Sequence, residues 1–340
     1  MTSPAAANLA VSVGISPRQS LAAWAAFAAE LEEEGVGRIW LIDSQLAMKD
    51  VHAGLLLAAQ HTRRTQLGPG VTNPLTRHPT VTASAMAALA EISGGRAILG
   101  LGAGDSAVYG VGLKPARVAE METALRFFRA VLAGQEGEWE GRSHRLPGPA
   151  AHVPIWLAAS QRRMCGLGGR LADGVILMGP AEEGFVRRQV QWVEDGLREA
   201  GRKRSDLEIC LVTTTSASSD PARALDDLRS WASTEARLVA DFVELPSGLE
   251  AFRAEIERAK AGYDYSEHLS TRASHQQAVS DGLVRALAVA GTPEECGRRI
   301  AGLLAAGIDG CIFPLVGGGR RERLRLIRDE VLPAARAAAP

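Results

Sequence analysis

The sequence predicts an α/β protein of the (β/α)8 TIM-like barrel class, with insertions at the C-terminal face of the barrel. Three observations carry that expectation. Short apolar runs alternate with longer amphipathic ones eight times along 340 residues. Those runs are apolar throughout rather than at alternate positions, as in a parallel sheet covered on both faces. The last run, GCIFPLV at 310–316, returns after a long helical stretch. That return favours closure of the sheet over an open, doubly wound arrangement.

LAVSVGI (9–15) reads as the first strand, and residues 18–34 follow with Leu21, Trp24, Ala25, Ala28 and Leu31 on one helical face. Gly35 is placed to end that helix. RIWLI (38–42) is the second strand, and Asp50 can cap the helix DVHAGLLLAAQ. TQLGPGV (65–71) is the third, and the helix over 79–92 carries Pro79 in its first turn, where the missing N–H costs nothing. RAILGLG (96–102) is the fourth. A helix over 116–133 precedes an excursion at 137–154 that reads as a short hairpin. PIWLAA (154–159), DGVILMG (173–179) and EICLVTTTS (208–216) supply strands five to seven. A final helix starts near Arg321. One barrel domain is expected over 9–335, with excursions near 105–115 and 137–153 and a helical insertion near 220–290.

The composition is that of an ordinary globular protein. A formal net charge of -1 argues against a nucleic-acid or membrane surface as partner. Cys165, Cys210, Cys296 and Cys311 are far apart, and the seven histidines form no HxH or HExxH pattern, so no metal site is expected. MTSPAAAN at the start has no basic-then-apolar pattern, and no apolar run reaches membrane-spanning length. A cytoplasmic location with reduced thiols is expected.

In a barrel, chemistry belongs to the loops that follow the strands. Asp43 and Ser44 end the second strand. Asp43 there is a general acid, a hydrogen-bond anchor or a structural aspartate. GLGAG (100–104) is not a dinucleotide fingerprint, because Asp105 stands where the last glycine is needed and Tyr109 to Pro115 reads as loop. It reads better as a turn where backbone approaches a flat ligand closely. Ser160 and Gln161 begin a helix that either holds a phosphate at its N-terminus or is simply solvated. GGGRR (317–321) offers the same two readings. His52 and His61 fall on a helix and its end, with no catalytic role.

GPGVTNPLTRHP, LGLGAGDSAV, PIWLAASQRRM and the stretch from YDYSEH to AGTPEECGRRI together resemble the luciferase-like monooxygenase superfamily, in particular its branch of methylenetetrahydromethanopterin reductases. The resemblance runs from Ala10 to about Val316. It implies a TIM-like barrel enzyme with a flavin or deazaflavin at the C-terminal mouth. It implies a non-prolyl cis peptide or bulge at Gly70–Val71, pressing on the middle ring of the cofactor. Thr72 and Asn73 would bond the ring's pyrimidine side. Gly102, Ala103 and Gly104 would let the cofactor tail pass, with Asp105 and Ser106 nearby. Ala159, Ser160 and Gln161 would hold its phosphate, with Met178 and Gly179 completing that wall. Asp43 would lie near the ring, and either it or the Thr72/Asn73 pair would manage the proton.

Two positions depart from the branch. Ser44 stands where many deazaflavin relatives have histidine, and VSVGIS carries no glutamate on the first strand. Both departures weaken assignment to methanopterin reduction itself. The implied activity is a coenzyme F420-dependent oxidoreductase moving hydride between the deazaflavin ring and a small or medium organic substrate. The alternatives are an FMN-dependent monooxygenase and a non-catalytic barrel partner in a heterodimer. A homodimer through the helices after strands two and three is the usual state of the family. His268 and His275 lie in the insertion, as part of a lid or on its surface.

Overall fold

The computed structural model describes residues 9–262, 279–315 and 318–338. His268, His275, Val316 and Gly317 lie outside the described residues. The architecture is the eight-stranded parallel (β/α)8 barrel class, with two compact units: residues 1–176 with 192–208, and residues 177–191 with 209–340.

The first unit contains β1 (Ala10–Val13), β2 (Arg38–Leu41), β3 (Gln66–Pro69), β4 (Leu99–Leu101), β5 (Gly137–Trp139), β6 (Arg142–His144), β7 (Ile155–Ala159) and most of β8 (Gly174–Leu177). β1, β2 and β3 pair in parallel with Ala10 opposite Arg38 and Arg38 opposite Gln66. Bridges from Leu67 to Ala97 and from Thr72 to Leu101 carry the ladder from β3 to β4. β4 then pairs with β7, Leu99 opposite Ile155. β5 and β6 are the antiparallel hairpin of the 137–154 excursion. β1, β2 and β4 are buried at every position, which is why their sequences do not alternate.

The helices after β1, β2 and β3 start where the sequence specifies. Ser20 and Asp50 accept the N–H groups of Ala23 and Ala53 and cap the helices Leu21–Glu33 and Val51–His61. Pro79 opens the helix Pro79–Ser93. The interior of the unit is aromatic, with Trp40 and Trp156 edge to face at 5.4 Å. At the starts of the strands, Arg38 lies 4.4 Å over the Trp156 ring and makes a two-pronged 3.0 Å contact with Glu208.

The same end holds a second buried polar network. Glu32 is 8% exposed and accepts backbone N–H groups from Arg63, Arg64 and Thr65. Arg96 donates to the carbonyls of Ala59, Thr62 and Thr65. Together they close the turn that leads into β3.

The second unit contains β9 (Glu208–Val212, from Ile209), β10 (Thr215–Ala217), β11 (Val289–Gly291) and β12 (Gly310–Pro314). β9 pairs with β12, Cys210 opposite Gly310, and β10 pairs with β11. Here the structure corrects the expectation of one continuous strand over 208–216. The chain leaves β12 after the Thr213 N–H bonds Ile312 O, and the Thr214 carbonyl takes the N–H of Val289 instead. The hydroxyls of Thr213 and Thr215 bond carbonyls two residues back, which supports the change of partner. β11 has only three residues and was not expected. The helices of the insertion, among them Arg229–Val239, Arg253–Ala261 and Asp281–Leu287, pack around their own apolar core of Leu228, Ala232, Ile256 and Leu283.

All four cysteines are buried thiols. Burial pushes Cys165 and Cys296 up to about 12 and Cys311 up to about 11, so these three are unreactive at neutral pH. Among the described residues, no helix is long and apolar enough to cross a membrane, and no group of His, Cys, Asp and Glu is arranged to hold a metal ion.

Candidate functional site

Strand β3 stops at Pro69, two residues earlier than its apolar run, and the Gly70–Val71 peptide that follows is cis. Gly70 lies directly on Trp40. A Cβ there would overlap the Trp40 Cβ and stand 3.2 Å from its Cα, so no larger residue fits. Val71 turns its side chain toward β4, where two glycines receive it. Cβ atoms built at Gly100 and Gly102 would meet the Val71 methyls at 3.1 and 2.6 Å. The first two glycines of GLGAG therefore make room for a side chain of the neighbouring loop.

That fit predicts a defined cost. Gly102→Ala will force Val71 out of its seat and destabilise the protein by about 1–3 kcal/mol, the usual range for overpacking. A urea denaturation curve with unchanged slope and a lower midpoint would show it. An unchanged midpoint would mean that Val71 moves freely.

The next residues are buried and tied down. Thr72 donates its hydroxyl to Asp43 Oδ2 at 2.7 Å. Arg77 donates to the same oxygen at 2.5 Å and to Asp50 at 3.1 Å. Asn73 uses its side-chain oxygen to accept the N–H groups of Leu75 and Thr76, at 3.0 and 2.9 Å, which shapes the turn before Pro79. Arg77 was not singled out by the sequence reading. The signal was available: a carboxylate at the buried end of β2 needs a cation, and the arginine in TNPLTRH is placed to supply one.

His52 completes the surroundings of Asp43. Both of its ring nitrogens are buried and have no hydrogen-bond partner among the described residues. Burial lowers its pKa, Arg77 lowers it further, and Asp43 and Asp50 oppose that. It is a neutral imidazole at neutral pH. For Arg77, burial acts to lower the pKa and is outweighed by Asp43 and Asp50, so it remains a cation.

Ser44, buried beside Asp43, shares a 2.9 Å hydrogen bond with Ser106 and so links the loops after β2 and β4. Gln45 donates to the Ala107 carbonyl in the same link. A short helix, Ser106–Tyr109, begins immediately after Asp105, where a loop was expected. Asp105 occupies its cap position but makes no side-chain cap. At the end of β7, the helix Arg162–Leu171 starts after Gln161, again with no side-chain cap.

Burial follows a pattern through these segments. Gly70, Val71, residues 103–106, Ser160 and Gln161 are half-buried, whereas Asp43, Ser44, Thr72, Asn73 and Ala159 are buried behind them. Half-buried backbone thus lies over a buried, hydrogen-bonded layer. In the second unit, Met178 is half-buried and Gly179 buried, with φ 134° at Gly179. The Met178 carbonyl accepts from Gln189 at 2.9 Å.

Comparison with known proteins gives a consistent result. A 5,10-methylenetetrahydromethanopterin reductase of Methanolobus tindarius is 29% identical over 311 residues, covering 88% of this chain and 93% of that protein. An F420-dependent glucose-6-phosphate dehydrogenase of Kineococcus radiotolerans is 30% identical over 226 residues, covering 61% of this chain and 67% of that protein. The solved structure of the coenzyme F420 dependent tetrahydromethanopterin reductase from Methanopyrus kandleri shares the fold, with a TM-score of 0.79 at 23% identity over 96% of this chain and 99% of that one. The profile of the luciferase-like monooxygenase family matches residues 5–310, and the chain belongs to that family.

Proposed function

We propose that the protein is a coenzyme F420-dependent oxidoreductase acting on a small or medium organic substrate. The observation that supports this best is the Gly70–Asn73 segment. Its first two residues are half-buried on Trp40 and its last two are locked behind them, in a chain whose relatives include enzymes named for F420.

These residues fit a flat ring. Gly70 and Val71 offer a smooth, largely side-chain-free face, and Trp40 and the Asp43–Thr72–Arg77 network keep that face from yielding. The half-buried Ser160 and Gln161 precede a ten-residue helix, Arg162–Leu171, whose first N–H groups suit a phosphate. Bound coenzyme F420 supplies the hydride at C5 of its ring.

Asp43 is assigned an anchoring role. One of its oxygens already takes a hydroxyl and a guanidinium, so the group is committed to holding the loop. Thr72 and the Asn73 oxygen are likewise committed within the protein. Their contribution is to fix the backbone that meets the ring. We read residues 9–335 as one barrel domain of a cytoplasmic homodimer. The helix Pro79–Ser93 exposes Val81 and Ile92, which suits a contact between copies.

A fluorescence titration of the purified protein tests the reading. Coenzyme F420 is expected to bind and FMN to bind far more weakly. Tight FMN binding without F420 binding would transfer the protein to the oxygen-activating enzymes of the family. Failure of both would leave a non-catalytic partner.

A further inference from the structure

Of the seven exposed large hydrophobic side chains among the described residues, four follow three neighbouring strands of the first unit. Leu46 is in the loop after β2, Leu75 in the loop after β3, and Val111 and Leu113 in the loop after β4. β2 pairs with β3, and the Leu67–Ala97 and Thr72–Leu101 bridges join β3 to β4. Each of the four lies shortly beyond a segment of the half-buried face or the layer behind it: Leu46 after Asp43, Leu75 after Asn73, Val111 and Leu113 after residues 103–106.

Leu46 is the most exposed, at 80%, and its backbone is left-handed, with φ 74°. A leucine there carries steric strain that glycine or asparagine would avoid. The turn that displays it is tied down on both flanks. The Met48 N–H bonds the Ser44 carbonyl at 2.8 Å, and the Met48 sulfur covers Gly14, where a Cβ would stand 2.4 Å from it. On the other flank Ser44 bonds Ser106 and Gln45 donates to the Ala107 carbonyl. Val111 and Leu113 are fixed through the same link. Both donate their N–H groups to the Val108 carbonyl, at 3.2 and 2.9 Å, and Val108 packs on Gly104. These side chains are therefore presented on anchored backbone.

The charges set within these loops are already matched. Asp43 and Arg77 neutralise each other, and Arg117 pairs with Glu120 at 2.9 Å. Lys114, beside Leu113, is exposed. Four partly exposed apolar side chains amount to roughly a few hundred Å², the size of patch that single proteins use for function. That is well short of the roughly 800 Å² that each partner buries in a stable protein interface. The patch suits a small molecule better than a second copy of the chain.

We propose that Leu46, Leu75, Val111 and Leu113 form the substrate rim of the site, and that the substrate is uncharged with a hydrocarbon body lying against them. That this ligand is the substrate rests on the reading of Gly70 and Val71 as the face that meets the cofactor ring.

Equilibrium dialysis of straight-chain 2-alkanones, from 2-butanone to 2-octanone, tests the proposal. The protein carries oxidised coenzyme F420, which cannot reduce a ketone. Affinity is expected to tighten at least about twofold with each added methylene, since full burial of one is worth about fourfold. Octanoate, which would seek Lys114, should bind at least about tenfold more weakly than 2-octanone. Leu46→Asn tolerates the left-handed backbone and so keeps or raises the thermal midpoint. It should nevertheless weaken 2-octanone at least about threefold while 2-butanone changes little, and Val111→Ser should do the same. A series without chain-length dependence, octanoate binding tighter than 2-octanone, or a dependence unchanged in both variants would overturn the proposal. So would dissociation of a dimer by both variants in sedimentation velocity, which would make the rim a contact between copies. If wild type binds no coenzyme F420, the cofactor reading fails instead. The ketone series on the cofactor-free protein then decides the rim: a chain-length dependence lost in Leu46→Asn keeps it as an apolar ligand site, and a flat series removes it.

Discussion

Asp43→Asn is expected to destabilise the protein by about 3 kcal/mol and to weaken coenzyme F420 binding at least about tenfold. The side chain of Asp43 is 2% exposed and receives Thr72 and Arg77 on one oxygen. An amide of the same shape still accepts the Thr72 hydroxyl but leaves the Arg77 guanidinium without its buried counter-charge. Asp50 remains as a partner, at 3.1 Å, but its side chain is 55% exposed and its attraction is screened by solvent. The loss therefore falls at the low end of the range for breaking a buried pair. Removing both charges should cost less than removing one: Asp43→Asn/Arg77→Leu is expected to recover part of the stability in urea denaturation. If the single change leaves the midpoint where it was, the pair does not hold this loop.

The second large effect lies at the opposite end of the strands. Glu32→Ala is expected to cost about 3 kcal/mol, because it strips the acceptor from the backbone N–H groups of Arg63, Arg64 and the buried Thr65 at once. Burial alone would raise the pKa of Glu32, but the N–H groups of Arg64, Thr65 and Arg63 outweigh it and hold the group at about 2. A carboxylate lowered in this way stabilises the fold above about pH 4.5 and loses that contribution as the pH falls toward 2. Wild type should thus lose stability over that window more steeply than Glu32→Gln. Thermal midpoints measured across it decide the point, and parallel curves for the two proteins would rule the network out as a source of acid sensitivity.

The two networks differ in how far they could be read from sequence. The barrel class was legible because burial on both faces writes itself as unbroken apolar runs such as IWLI (39–42), and because the caps Ser20 and Asp50 and the helix-opening Pro79 are local signals. The Gly70–Val71 segment was legible through its resemblance to a known family. Glu32, by contrast, sits in a stretch of four acidic residues, ELEEE, that looks like a solvated face. Nothing local distinguishes the one that meets residues 63–65, 31 to 33 positions away. Arg77 was missed for the same reason, since its buried partner Asp43 comes from another loop. The split at Thr213–Thr214 escaped because a run of threonines favours a strand whichever neighbour it pairs with.

The seating of Val71 between Gly100 and Gly102 also bears on how this protein can change over generations. Positions 71 and 102 share one volume, so neither can grow alone. A larger residue at 102 becomes tolerable once position 71 shrinks, and Val71→Ala is the change that would open that route. The two loops must therefore drift as a pair. Any lineage that reshapes this surface will carry the record of it in two loops at once.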